Sequence, residues 1–362
     1  MKRLTFAVTN DLSYDQRMIR ICTSLAGAGY NVTLIGRRWV NTPAPPSQPF
    51  RQKQLFCFLK KGKLSYLEYN IRLFLYLLFQ RADAVCAIDL DTILPFYFIS
   101  VLKGIPRIYD AHELFCEMKE VVTRPAVHRI WKWVERFTVP KFKHGYTVNN
   151  AIADEFNRLY GVQYEVIRNL PVLQSQKTVP AKPEKYILYQ GAVNEGRSFE
   201  TLIPAMKLVN APLIICGDGN FMQQAQQLVL QHQLQEKVIF KGKILPAQLK
   251  EYTRLAWAGV TLFENNGMNN FNSLGNRFFD YLNAGLPQLC VNYPAYQEIN
   301  NKHLVAVLIN DLLPETIAGG LNELLNNEKL YSLLQQNCIK ARQELNWQEE
   351  EKKLLLFYKN IL

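Results

Sequence analysis

Apolar residues fall along this chain in two rhythms. Short β-branched or aliphatic runs alternate with longer stretches in which apolar positions recur every three to four residues. The first rhythm fits strands buried on both faces, and the second fits amphipathic helices packed over them. In the first half the runs cover residues 4–9, 31–36, 84–88, 107–109, 145–148 and 164–167. A helix expected over residues 14–26 stops at Gly27 and Gly29, which can cap it. Residues 171–185 hold three prolines and little periodicity, and read as a linker. Beyond them, runs at 186–190, 213–216, 238–240, 259–262, 288–291 and 305–308 alternate with helices expected from Arg197, from Asn220 and over 274–283. Strands alternating with helices in both halves predict an α/β protein of two doubly wound, Rossmann-like domains. The expected division is 1–170, the linker 171–185, a second domain 186–345 and a closing helix 346–362.

Composition agrees with that picture and removes several others. A chain of 362 residues that is 48% apolar and 20% charged is neither disordered, collagenous nor low in complexity. At about 150 residues per domain it carries two cores. The seven cysteines stand singly, with no CxxC or Cys/His cluster, so neither a zinc site nor a disulfide framework is expected. Reduced thiols imply a cytoplasmic protein. The first run begins at Leu4 with no signal-peptide architecture, and the longest greasy stretches fall well short of the ~18 residues that span a membrane.

Charge is uneven. Residues 1–170 hold 24 Lys and Arg against 14 Asp and Glu, whereas the remainder holds 18 against 17. An anionic partner of the first half follows: a membrane surface, an acidic acceptor or nucleic acid. No nucleic-acid-binding motif is present, so that partner is not expected. Residues 60–81 interleave basic residues with aromatic and aliphatic ones. That segment either lies on an anionic bilayer or packs on the sheet behind a basic entry loop.

Candidate chemistry sits just beyond strand ends, where doubly wound sheets hold ligands. In the second half, Gly191, Gly196 and Arg197 follow one run, and Gly217 and Gly219 follow the next. Gly275 and Asn276 stand where a helix should begin, with Arg277 in its first turn and Asp280 one turn on. Bare N–H groups and a basic side chain at a helix start suit a diphosphate, and a carboxylate one turn later can accept both hydroxyls of a ribose. Ordinary turn glycines, a solvated arginine and an i,i+3 Arg–Asp surface pair are the structural alternatives. In the first half, Asp15 and Arg17 open the first helix, where Asp15 can equally complement the helix dipole. Asp110, His112 and Glu113 follow the run at 107–109, and a histidine between two carboxylates beyond a strand end is poorly suited to a core. Asp89 and Asp91 have Asp-x-Asp spacing, but Asp91 also suits a helix N-cap, and no metal site is expected.

The order GxxxxGRxxxxLI, IICGDG, VIFKGKILPAQLKEYTRLAWAGVTL and GNRFFDYLNAGLP, over about residues 186–300, resembles the C-terminal domain of GT-B glycosyltransferases of the family 4 type. The resemblance implies two lobes facing a cleft, an N-terminal acceptor-binding domain and a C-terminal nucleotide-sugar-binding domain. It implies that Arg197 and Arg277 hold the donor diphosphate, Asp280 the ribose, and that Gly191 admits the ligand closely. Residues 238–241 would border the base, and His112 would face the transferred sugar. Many members carry Glu at both ends of an E-x7-E pattern, where this chain has Asn272 and Asp280, and Lys where it has Arg. The first-domain loop lacks the common Gly-Gly pair and resembles a subgroup with Asp15 and Arg17. The implied activity is transfer of a sugar from a UDP- or GDP-linked donor to an envelope glycan or lipid-linked acceptor, with retention and without metal or other cofactor. A GT-B epimerase or phosphorylase, or a non-catalytic nucleotide-binding scaffold, are the alternatives. The closing helix would cross back onto the first domain.

Overall fold

Aliphatic runs with no polar side to offer water can only be satisfied inside a sheet covered on both faces. The computed structural model describes residues 1–9, 12, 15–40, 42, 44–60, 62–173 and 185–362, and places these runs in two all-parallel sheets. The chain divides into unit 1, Met1–Asn169 with Glu350–Leu362, and unit 2, Leu170–Glu349. The proline-rich stretch lies largely outside the described residues.

Unit 1 contains β1 (Arg3–Ala7), β2 (Asn31–Arg38), β3 (Arg51–Phe56), β4 (Ala84–Ile88), β5 (Arg107–Ala111), β6 (His144–Thr147) and β7 (Glu165–Val166), ordered β3-β2-β1-β4-β5-β6-β7. Every residue of β4 is buried, and Ala7, Val85, Ala87 and Tyr109 join Leu73, Ile93 and Phe96 from the covering helices in one core. Unit 2 contains β8 (Ile187–Gln190), β9 (Leu213–Cys216), β10 (Val238–Gly242), β11 (Ala258–Thr261), β12 (Gln288–Val291) and β13 (Ala306–Ile309), ordered β10-β9-β8-β11-β12-β13. Its core joins Ile187, Leu213, Val260 and Leu289 to Phe199, Phe278 and Leu321. In both sheets the chain winds outward in one direction and then restarts beside its first strand. The switch points therefore fall between β1 and β4 and between β8 and β11.

The final helix, Trp347–Ile361, carries the division between the units within it. Trp347 N donates to Pro171 O in unit 2, whereas Glu350 Oε2 accepts from Arg168 N in unit 1. From Glu350 onward it packs on the unit 1 sheet, with Tyr358 fully buried against Phe6 and Tyr146.

Three local expectations change. The strand Arg51–Phe56 matches no aliphatic run, because it is a half-exposed edge whose sequence RQKQLF has only Leu55 buried. The helix expected from Arg197 begins at Phe199, since Gly196 (φ +79°) and Ser198 (φ +59°) turn the chain first. Asp91 is not an N-cap. It lies, buried, in the 3-10 turn Leu90–Thr92, and Thr92 holds the N-cap position of the helix Ile93–Lys103 without a side-chain capping bond.

Candidate functional site

The unit 2 site forms at the carboxyl ends of β8, β9 and β11. Gly191 follows β8 with φ +118°, a conformation glycine adopts without strain, and a Cβ there would lie 3.5 Å from Nη2 of Arg277. Arg277 is the second residue of the helix Asn276–Ala284, whose N-cap is Gly275. Phe278, Phe279 and Leu282 anchor that helix in the core, and Gly275 N donates to Tyr296 Oη at 2.9 Å. The anchoring turns the Arg277 guanidinium inward, 4.1 Å from the ring centre of Tyr189 and 5.6 Å from that of Phe263. Arg277 is 8% exposed, so it is not half of a solvated surface pair. Its Nη1 is buried with no hydrogen-bond partner among the described residues.

Arg197 reaches the same place by another route. The turn that delays the helix presents it from the loop after β8, and Gly196 O accepts from Glu264 N at 3.0 Å, tying that loop to the one after β11. Its guanidinium lies 4.3 Å from the centre of the Phe263 ring. The two arginines named from sequence thus converge on one phenylalanine. Phe263 itself escaped the sequence reading. The signal that would have found it is its position, two residues beyond β11 at the switch point.

Asp280 accepts from Gln190 Nε2 at 2.9 Å, and Gln190 Oε1 accepts from Thr253 Oγ1 at 2.8 Å, so a chain of bonds fixes the carboxylate. Asn272 is buried at the end of the short helix Met268–Asn272, and Asn276 is the first residue of the helix that carries Arg277. Gly217 and Gly219 have packing reasons of their own. A Cβ at Gly217 would lie 1.7 Å from Gly191 O, and one at Gly219 would lie 2.3 Å from Val193 O. These two glycines let the β8 and β9 loops touch, which the turn reading alone requires.

In unit 1 the candidates divide. Asp15 caps the helix Gln16–Gly27, accepting from Met18 N at 3.0 Å, which satisfies its structural reading. Arg17 is buried and donates to both oxygens of Asp110 (2.8 and 3.3 Å) and to Ile167 O (3.0 Å). Asp110, at the end of β5, is fully buried. Its Oδ2 lies 3.1 Å from His112 Nε2, while Asp89 Oδ2 lies 3.3 Å from Nδ1 and Asp89 Oδ1 accepts from His112 N. Glu113 follows, half buried.

Arg17, Asp110, His112 and Asp89 therefore alternate in charge. Burial opposes the charge on His112, but Asp110 and Asp89 outweigh it and lift its pKa well above the usual value. Burial pushes the Asp110 carboxyl up, and Arg17 and His112 more than reverse this. Both ring nitrogens of His112 face carboxylates, which favours its charged form, and its side chain and that of Asp89 stay about a quarter exposed. Asp89 owes its place to the strained turn after β4 (φ +51°). Its Asp-x-Asp neighbour Asp91 points elsewhere, accepting from Thr9 Oγ1, and burial raises it to about 7. The pair does not converge on one point. Among the described residues no helix is long and apolar enough to cross a membrane.

Two all-parallel sheets, each with a switch point and interleaved helices, give the two Rossmann-like domains of a GT-B fold. Family models agree: "Glycosyl transferases group 1" matches residues 173–344 and "Glycosyltransferase Family 4" matches residues 16–171. The chain belongs to the GT-B glycosyltransferases of the family 4 type. Among solved structures it is similar to sucrose-phosphate synthase from Thermosynechococcus elongatus (15% identity, TM-score 0.79, 99% of each chain covered). It is also similar to WaaG, a glycosyltransferase involved in lipopolysaccharide biosynthesis (15% identity, TM-score 0.75, 98% of this chain and 99% of that one). A third is Anabaena Alr3699/HepE in complex with UDP and glucose (12% identity, TM-score 0.76, 99% of this chain and all of that one). At these identities the likeness is one of fold. No curated protein sequence matches the chain.

Proposed function

We propose that this glycosyltransferase takes a sugar from a UDP- or GDP-linked donor and passes it, with retention and without a metal ion, to a glycan or lipid-linked acceptor bound by unit 1. One observation carries the reading: the buried Arg277 guanidinium, with Nη1 unbonded among the described residues, shares the Phe263 ring with Arg197 beside Gly191. A buried cation lacking a carboxylate partner is costly unless an anion arrives. A diphosphate supplies that anion at a helix start and the switch point, where phosphate is favoured.

The roles follow. Arg197 and Arg277 take up the charge that develops on the diphosphate as the bond from the sugar C1 to the leaving oxygen breaks. Because both are held in place before substrate arrives, no reorganisation is needed at that moment. The acceptor hydroxyl oxygen bonds to C1 as its proton passes to the departing phosphate oxygen, so no separate protein base enters. Asp280, fixed by Gln190, receives the ribose hydroxyls. A hydroxyl of the transferred sugar meets the exposed edge of the His112–Asp89 pair. An envelope glycan as acceptor suits the similarity to WaaG, a glycosyltransferase involved in lipopolysaccharide biosynthesis.

The test is release of nucleoside diphosphate from UDP- and GDP-sugars, with and without EDTA, in wild type and His112→Ala. The expected result is turnover with one base, unaffected by EDTA, and a His112→Ala enzyme that binds nucleotide normally but transfers sugar about 10²-fold more slowly. Turnover abolished by EDTA, or a His112→Ala enzyme with wild-type rates, contradicts the reading.

A further inference from the structure

The helix Lys63–Phe79 shows which way unit 1 faces its partner. Tyr69, Leu73 and Leu77 bury one side of it, as the packed-helix reading requires. Yet its exposed positions among the described side chains are Leu64, Leu67, Ile71, Leu75 and Phe79, all apolar, with Phe79 at 84% exposure. The neighbouring helix Ile93–Lys103 repeats this with Phe98, Val101 and Leu102. Helices that border water carry polar residues on that side.

At the amino end of this stripe lies a cavity of about 800 Å³, wholly within unit 1. Leu67 from the stripe continues into its wall, joined by Tyr66, Val127, Ile130 and Trp131. Three cations stand on the same wall, Arg37, Lys60 and Arg124, against a single carboxylate, Asp91, among the described residues. Arg37 is fixed by bonds to Thr9 O (2.6 Å) and Ser65 Oγ (2.9 Å) and lies over the rings of Trp39, Tyr66 and Tyr69. An apolar cavity of this size with a few fixed polar groups is built as ligand sites are. Unit 1 as a whole carries 27 Lys and Arg against 16 Asp and Glu, while unit 2 is balanced at 15 each, so the field around the cavity favours an anion.

The geometry points to a lipid subsite: the cavity takes one hydrocarbon chain of an anionic amphiphile, the lipid end of the acceptor, with its phosphate against Arg37, Lys60 and Arg124. This deepens the acceptor side of the function proposed above and rests on it for the word acceptor alone, since the binding is measured without any donor.

The probe is dodecyl phosphate below its micellar concentration, titrated calorimetrically and followed by Trp131 fluorescence, with inorganic phosphate and dodecyl maltoside as comparisons. Saturable binding of dodecyl phosphate is expected, weakened about tenfold or more by Ile130→Asp and by Arg124→Glu. Ile71→Asp, on the stripe but outside the cavity, should leave it within about twofold. Ile130, Arg124 and Ile71 are all solvent-accessible, so these substitutions test binding rather than folding. No saturable binding overturns the proposal. So does equal weakening by Ile71→Asp, which assigns the affinity to the outer stripe and a bilayer, or displacement by inorganic phosphate or dodecyl maltoside at similar concentration. UDP and GDP titrations on the same samples keep the two proposals apart: failure there removes the donor reading and leaves the lipid site standing.

Discussion

Arg277, like Arg37, is buried on aromatic faces with no carboxylate paired to it among the described residues, but its Nη1 is also left without a hydrogen-bond partner there. Rings attract a guanidinium modestly, by about 0.5–2 kcal/mol, and leave its in-plane N–H groups available. That combination holds a charge ready for a ligand. Asp91 shows the opposite strategy, a carboxylate buried against a threonine hydroxyl and pushed up to about 7. Between its usual value of 3.8 and about 7 the folded chain binds a proton the unfolded chain has lost, so Asp91 makes stability fall as pH rises through that window. A gap of about 3 pH units at ~1.4 kcal/mol each makes the full penalty at most about 4 kcal/mol. Asp91→Asn should match wild type near pH 4 and unfold at higher temperature near pH 8, the gap growing between. A gap independent of pH in thermal melts would contradict the burial argument. His112, whose pKa the neighbouring carboxylates raise, loses its stabilising contribution as pH rises above about 6.5 in both proteins alike, and so cancels in the comparison.

Legibility at this scale was partial. Arg277, Gly275 and Asp280 could be read because residue type and helix start coincide in sequence. Phe263 and Asp89 could not, because a phenylalanine beyond a strand and a carboxylate in an Asp-x-Asp pair have several uses. Only the folded chain shows one under two arginines and the other against the His112 ring.

At the scale of elements, doubly covered strands announce themselves by unbroken aliphatic runs. Every buried strand of both sheets corresponds to one, with ends shifted by a residue or two. The edge strand Arg51–Phe56 hid because pairing on one side with β2 leaves its side chains half in water, and polar residues serve there. Loop geometry was legible only as glycine content. The β8 and β9 loops press so closely that Gly217→Ala places a methyl 1.7 Å from a backbone oxygen, an atom no rotamer can move. That substitution should cost about 2 kcal/mol or more in urea unfolding and weaken nucleotide binding, since the Gly191 loop must shift. Unfolding indistinguishable from wild type would show that the contact relaxes freely.

At the scale of the whole molecule, the chain's entire +11 charge resides on unit 1, to which the C-terminal residues return. The two proposals divide along the same line: an apolar anion on unit 1, a diphosphate on unit 2. The returning helix is part of the unit 1 core, not an appendage. Tyr358 is fully buried, its ring near Phe6 and its hydroxyl 3.3 Å from that of Tyr146. Tyr358→Ala should destabilise unit 1 by about 3 kcal/mol or more while leaving nucleotide affinity in unit 2 unchanged, as calorimetric melts and titrations would show.

Calorimetric titration of UDP and GDP into wild type, Arg197→Ala and Arg277→Ala tests whether the paired guanidinium groups hold a diphosphate. Wild type should bind one of the two nucleotides, and each substitution should weaken that binding about tenfold or more, as expected for loss of a charge-assisted bond to phosphate. Equal affinities in all three proteins would mean that the paired guanidinium groups over Phe263 do not hold the diphosphate.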